Sequence, residues 1–99
     1  MAEQQDSTLL AMLKTDLGIS AAQTAYNTRL EQLLTVAQSA IIEEGASTLD
    51  ASDSLDMQLI VMYAAWLWRR RDEMTGMPRM LRWQLNNRVM VEKAVVTDG

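Results

Sequence analysis

The chain lacks two residue types on which much protein chemistry depends. Its 99 residues include no cysteine and no histidine. Without cysteine, disulfides and thiolate metal ligands are excluded. Without histidine, the commonest general base and the commonest zinc ligand are missing. The carboxylates fall at predicted helix ends and in loops, where capping and solubility account for them. We therefore expect no enzyme, no cofactor and no metal site.

Long apolar runs are also missing. The longest is Leu59–Trp68, at ten residues, whereas a membrane-spanning helix needs about 20. The chain does not open with the basic and apolar pattern of a signal peptide. We therefore expect a soluble protein that is made inside the cell and has no membrane partner.

Proline and glycine are scarce, and this leaves the helical periodicity nearly uninterrupted. The chain has one proline and four glycines, and no segment alternates apolar and polar residues long enough for a strand. We predict an all-α fold, a small bundle of three main helices preceded by a short N-terminal helix. No linker or repeat divides the chain, so residues 1–99 should form one domain, with residues 1–6 and 94–99 as flexible tails.

Local signals predict the ends of the first two helices. Ser7 is an N-cap candidate for the first helix, and Gly18 suits the left-handed position that ends it. The capping-box spacing within Ser20–Gln23 predicts that a second helix begins at about Ala21. This second helix has the clearest amphipathic pattern and should end at Gly45.

The third and fourth helices have similar signals. Asp53 is an N-cap candidate for the third helix, and Asp56 in the first turn suits the helix dipole. The positive charges of Arg69–Arg71 suit the C-terminus of that helix. Pro78 fits the first turn of a fourth helix, which we expect to continue to about Lys93.

Two tryptophans on the third helix point in nearly opposite directions. Trp66 and Trp68 are separated by about 200° around the helix axis. One packing surface cannot bury both. Either this helix is the central helix of the bundle and is covered on several sides, or a neighbouring subunit covers one face with Tyr63 or a tryptophan.

The fourth helix is predicted to have two apolar faces. The first is an i+4 stripe of Leu81, Leu85 and Val89. More than about 100° away, the second consists of Met80, Trp83 and Met90. One face can pack on the subunit's own core, and the other needs a partner unless the bundle buries both. Tryptophan, methionine and arginine are enriched at protein interfaces. The predicted oligomer or partner interface therefore comprises Arg79, Met80, Arg82, Trp83, Asn86, Arg88 and Met90.

The net charge of −4 conceals an uneven distribution. Residues 1–68 contain nine acids and two bases, whereas residues 69–99 contain four acids and seven bases. Such patterning can serve solubility alone. The other interpretation is a head-to-tail contact between the basic end of one copy and the acidic body of the next, which forms a ring if the rotation closes. Arg69, Arg70 and Arg71 would then be interface charges.

The same arginines support an alternative hypothesis. Arg69–Arg71, Arg79 and Arg82 form the kind of cluster that phosphate binding requires. Against this, the chain as a whole is acidic, and three consecutive arginines spread over about 200° of a helix. The alternative is a small helical nucleic-acid-binding or regulatory protein that uses the basic cluster Arg69–Arg82.

A family resemblance covers roughly residues 9–92. Leu55–Arg88 (LDMQLIVMYAAWLWRRRDEMTGMPRMLRWQLNNR) resembles the C-terminal half of the head–tail connector proteins of siphophages, small α-helical adaptors also described as DNA-packaging proteins. Met12–Ile19 (MLKTDLGI) is similar to an initial stretch of that family. The segment with Tyr26, Arg29 and Leu30 is similar as well.

This resemblance implies a structural protein of the virion. It implies a subunit that forms a ring with copies of itself, docks on the portal protein and extends the DNA channel. The ring would be the platform for a head-completion or tail protein, and genomic DNA would pass through it without specific binding. The implied location is the head–tail junction, with the host cytoplasm during assembly. In the family the C-terminal helix and tail engage the portal or neighbouring subunits, which corresponds here to Met80–Val96.

Overall fold

Helix α3 is the element on which the other helices pack. The computed structural model describes the backbone of residues 2–70 and 76–98, and the side chains of residues 8–70 and 76–94. The backbone forms α1 (Ala2–Leu17), α2 (Asn27–Glu44), α3 (Ser54–Arg70) and α4 (Arg79–Asp98). These ranges contain no strand, and the predicted all-α fold is confirmed.

Each helix contributes a buried stripe to one core. α3 contacts α1, α2 and α4, α1 also contacts α2, and α4 packs mainly on α3. The fully buried large side chains are Leu9, Leu13, Leu30, Ile41, Ile60, Leu81 and Leu85. The molecule measures 46 × 35 × 17 Å. Because packed helices lie about 8–10 Å apart, this thickness allows about two layers of helices.

The central position of α3 accommodates both of its tryptophans within one subunit. Trp68 contacts Tyr26 edge-on, with ring centroids 5.4 Å apart. Trp66 contacts Tyr63 edge-on at 5.5 Å and donates a hydrogen bond from Nε1 to the Gly76 carbonyl oxygen. Both tryptophans are partly buried against the core. Of the two interpretations of this helix, the structure therefore favours the central helix of the bundle.

The predicted start of the second helix is wrong by six residues. α2 begins at Asn27 rather than Ala21, and no side chain caps it. The ammonium group of Lys14 explains the difference. Its Nζ donates to the carbonyl oxygens of Ala21 and Gln23 and to the side-chain oxygen of Asn27. These hydrogen bonds from Lys14 hold the segment before α2 in turns. Ser20 and Gln23 therefore do not form a capping box.

Three predicted helix ends are confirmed. The backbone N–H of Asp56 donates to Asp53 Oδ2 at 3.1 Å, which is the expected N-cap of α3. Gly18, with φ of 74°, ends α1, and Gly45, with φ of 131°, ends α2. Both angles lie in the region that L side chains rarely adopt, so glycine is favoured at both positions.

Helices α1 and α4 extend beyond the expected bounds. α1 begins at Ala2, so Ser7 lies inside the helix and is not its N-cap. Residues 2–6 are mostly alanine, glutamate and glutamine, which favour helix. α4 begins directly after Pro78 and continues to Asp98 instead of Lys93. The flexibility of residues 1–6 and 94–99 stays a prediction. Across residues 2–70 and 76–98, no helix is both long and apolar enough to cross a membrane.

Candidate assembly surface

One face of α4 belongs to the subunit's own core. Leu81 and Leu85 are 1% and 0% exposed, and Val89 packs against the core cluster. These residues lie on the predicted i+4 stripe. The structure thus assigns the first of the two apolar faces of α4 to intrasubunit packing.

The second apolar face of α4 lies on roughly the opposite side of the helix and is exposed. Met80, Trp83 and Met90 are 60%, 62% and 67% exposed, and Val91 beside them is 57% exposed. We call these four residues the α4 outer face. Val91 is absent from the predicted interface, although its i+11 spacing from Met80 puts it on the same side of the helix. Large apolar side chains clustered at a surface mark interaction sites.

The structure brings five of the seven predicted interface residues together. Arg79, Met80, Arg82, Trp83 and Asn86 line one shallow groove along the first half of α4, and Met77 completes it. Met90 lies further along the same helix. These five residues are thus contiguous on the surface, and their role in an interface stays a prediction.

A second groove lies between α3 and α4, on the other side of Trp83. Its apolar lining includes Leu55, Leu59 and Val91. Leu55 is 76% exposed, the most exposed of the large apolar side chains in the described part of the chain. Sequence reasoning missed Leu55 as a surface residue. Its exposure could have been suspected from its position in the first turn of α3, where it does not belong to the buried stripe of that helix.

Arg88, the seventh predicted interface residue, makes its contacts inside the subunit. Its Nε donates to Asp56 Oδ1 at 2.9 Å, and its Nη1 donates to Glu92 Oε1 at 3.3 Å. The side chain is 16% exposed. The hydrogen bond with Asp56 raises the pKa of Arg88 further, so the guanidinium stays charged. These contacts correct its placement, and Arg88 is not part of the surface that we propose for assembly.

Glu92 connects the same ion pair to the loop between α2 and α3. The Thr48 hydroxyl and backbone N–H donate to Glu92 Oε1, and the Ser47 hydroxyl donates to Oε2. These hydrogen bonds lower the pKa of Glu92 to about 2, with those from Thr48 contributing most. Asp56 also accepts the backbone N–H of Asp50. The network fixes this loop to both helices, and no local sequence pattern predicts it.

The arginines of the basic cluster that the structure describes do not form one stripe. Arg69 forms an exposed ion pair with Asp16 at 3.5 Å. Arg70 lies over the Trp66 ring, 4.9 Å from the centroid. Arg71 lies outside the described residues. Arg69 and Arg70, which are consecutive in α3, thus have separate environments.

Arg82 extends the basic end of the molecule toward α2. It pairs with Glu44 at 3.6 Å, and both side chains are well exposed. Burial raises the pKa of nearby Tyr63, and the charge of Glu44 adds to this, while Arg82 and Arg70 oppose it. Arg79 is exposed on the groove that contains Trp83. Arg79 therefore places a positive charge directly beside the α4 outer face.

Neither a search for metal-binding groups nor comparisons with known proteins add to this description of the surface. Among the residues with described side chains, no group of three or more aspartate or glutamate carboxylates could hold a metal ion. In comparisons with known proteins, no family model, curated protein or solved structure matches the chain. The geometry of the α4 outer face is therefore the structural observation from which a function can be proposed.

Proposed function

We propose that this chain is a structural subunit of a phage head–tail connector ring. In this role it docks on the portal protein, extends the DNA channel and supplies the platform for a head-completion or tail protein. The observation that carries the proposal is the α4 outer face, which lies opposite the core stripe and is more than half exposed at each of its four residues.

The energetics of that face support a partner protein. Fully burying one large apolar side chain stabilises a complex by about 1.5–3 kcal/mol. Trp83 lines one groove together with Arg79 and Met80. Tryptophan and arginine are the residue types that contribute most to binding at interface hot spots. A subunit that completes its surface in an assembly accounts for this composition.

The arginines are consistent with DNA passing through the ring without specific binding. Arg69 and Arg82 each have a carboxylate partner within the subunit, and Arg70 stacks on Trp66. The two ion pairs reduce the positive charge that Arg69 and Arg82 offer to phosphates. The nucleic-acid-binding alternative therefore has weaker support than the connector. Tight binding to duplex DNA with a steep salt dependence would revive it.

Binding to the portal protein encoded near this chain's gene tests the proposal. The wild-type chain should sediment with portal rings, and Trp83→Ala should bind about 30-fold more weakly, as for a hot spot of about 2 kcal/mol. Trp83→Ala should change the free energy of unfolding by less than about 1 kcal/mol, because Trp83 is 62% exposed. The control is Leu85→Ala, which should cost about 2–5 kcal/mol of stability because Leu85 is fully buried.

Two outcomes contradict the proposal. A wild-type chain that fails to bind the portal protein would remove the connector role. A Trp83→Ala variant that loses helicity and portal binding in parallel would show that Trp83 serves the core. Genomic context is an independent check, since a connector gene should lie close to portal and major capsid genes.

A further inference from the structure

We propose that Arg88 and Glu92 decide which of the two apolar faces of α4 packs on α3, and thereby keep Trp83 on the surface. This inference rests on the proposed function, since it concerns how the α4 outer face becomes available to a partner. Arg88 and Glu92 act through the orientation of α4 and not by touching the partner. They are positioning residues.

Apolar burial alone does not explain the observed orientation of α4. The core stripe of α4 consists of Leu81, Leu85 and Val89. The α4 outer face has four large apolar side chains, among them Trp83. The free energy of burial scales with the apolar area that is removed from water. Burial of the outer face would therefore be at least as favourable as burial of the core stripe.

Two charged residues share the side of α4 that packs on the subunit. Arg88 and Glu92 follow Leu81 by seven and eleven residues, which places each within about 20° of it around the helix axis. Glu92 is 4% exposed, and the Arg88 side chain is 16% exposed. The inward side of α4 is thus apolar near the start of the helix and charged further along.

The rest of the subunit supplies partners for these charges at the observed orientation. Arg88 Nε donates to Asp56 at 2.9 Å. The Thr48 hydroxyl and backbone N–H donate to Glu92 Oε1 at 2.6 and 2.9 Å. A rotation of α4 by about 180° would bury Trp83 and leave the Asp56 carboxylate without its cation. Because a buried charge that loses its partner is strongly destabilising, the network disfavours the rotated packing.

Selection of a face is separable from stabilisation of the fold. Apolar residues of similar size can often replace a buried ion pair with little loss of stability. The triple variant Asp56→Leu/Arg88→Met/Glu92→Leu should therefore keep the helical fold and lose the single orientation of α4. Water can replace the lost acceptors, because the three loop residues that donate to them are exposed: Ser47, Thr48 and Asp50.

Thiol labelling measures the orientation of α4. Because the chain has no cysteine, one introduced thiol reports on one position. Leu85→Cys places it on the inward side and Met90→Cys on the outward side, where the native residues are 0% and 67% exposed. In the wild-type background, the thiol at position 90 should react at least about 100-fold faster than the thiol at position 85. In the triple variant the ratio should fall below about 10-fold, because both orientations are then populated.

A rescue variant distinguishes a lost orientation from a general loosening of α4. Adding Met80→Gln and Trp83→Gln to the triple variant makes the outer face polar and leaves the core stripe as the more apolar side. Slow labelling at position 85 should then return. The matched control for Arg88→Met is Arg79→Met at an exposed position of α4, which should keep the wild-type ratio.

Three outcomes overturn the inference. A triple variant with the wild-type labelling ratio would show that side-chain shape sets the orientation. A triple variant that loses its helical circular dichroism would show that the network stabilises the fold and does not select a face. Fast labelling at position 85 in the rescue variant would show that α4 is loosened. Labelling requires no portal protein, so these outcomes are distinguishable from failure of the connector proposal.

Discussion

The Nε of Arg88 lies 2.9 Å from Oδ1 of Asp56, which joins the middle of α4 to the first turn of α3. The Arg88 side chain is 16% exposed and that of Asp56 is 8% exposed. α4 packs mainly on α3. A largely buried ion pair thus fixes the helix that presents Trp83.

Loss of Arg88 should be strongly destabilising. Arg88→Ala leaves the carboxylates of Asp56 and Glu92 buried without their cation, and we expect a loss of about 3 kcal/mol in the free energy of unfolding. Chemical denaturation measures it. The control is Arg79→Ala on the exposed side of α4, which should change stability by no more than about 0.5 kcal/mol. Equal effects of the two substitutions would contradict the structural role of Arg88.

The pKa of Glu92 makes stability depend on pH in a defined window. The folded state lowers this pKa from its ordinary value of 4.5 to about 2. Because the folded pKa is depressed, the stabilisation by the Glu92 carboxylate is complete above about pH 4.5 and is lost as pH falls toward 2. Glu92→Gln, which cannot ionise there, should lie below wild type in urea midpoint at pH 7, and the gap should narrow toward pH 2. A gap that is constant with pH would argue against a titrating Glu92.

Replacing Lys14 should loosen the segment that precedes α2. Lys14→Met removes the donor to the carbonyl oxygens of Ala21 and Gln23. We expect a loss of about 2 kcal/mol in the free energy of unfolding. Amide hydrogen exchange should become faster in residues 19–26, and this increase should be larger than any increase within the helices. The matched control is Arg29→Met, at an exposed position of α2, which should leave hydrogen exchange in residues 19–26 unchanged. Unaltered exchange in Lys14→Met would show that the ammonium does not hold the turns.

Two glycines should differ in their tolerance of alanine. Gly45 has φ of 131°, and a Cβ there would lie 3.0 Å from Val89 Cγ1. Gly18 has φ of 74°, with nothing within 4 Å of the added Cβ. We expect Gly45→Ala to cost about 2–3 kcal/mol and Gly18→Ala about 1 kcal/mol.

The double variant Gly45→Ala/Val89→Ala separates the clash from the backbone strain. Val89→Ala removes the methyl groups that the new Cβ would meet. The double variant should therefore be more stable than the sum of the two single effects implies. Simple additivity would mean that backbone strain alone sets the cost at Gly45.

Helix ends that depend on local chemistry could be predicted from the sequence. Asp53 caps α3, and Gly18 and Gly45 end α1 and α2 as expected. The start of α2 could not be predicted, because the carbonyl oxygens of Ala21 and Gln23 accept hydrogen bonds from the distant Lys14 side chain. A side chain that satisfies carbonyls seven and nine residues further along the chain leaves no periodic signal.

The candidate assembly surface, too, could be predicted only in part from the sequence. Helical spacing alone predicts that Met80, Trp83 and Met90 share one face of α4 and that Leu81 and Leu85 share another. Whether a face is covered depends on where neighbouring helices pack, which spacing does not specify. Arg88 shows this limit, since its position on the helix suggested an interface residue and its partners Asp56 and Glu92 hold it inside.

The sequence by itself determined the all-α class, the two-faced character of α4 and the separation of an acidic segment, residues 1–68, from a basic one, residues 69–99, because each follows from local periodicity and composition. Tertiary structure alone decided which apolar face of α4 stays exposed, because α3 offers one packing surface to α4. It also decided that Arg88, Asp56 and Glu92 form one network, because ion pairs across 32 residues exist only once the helices have packed.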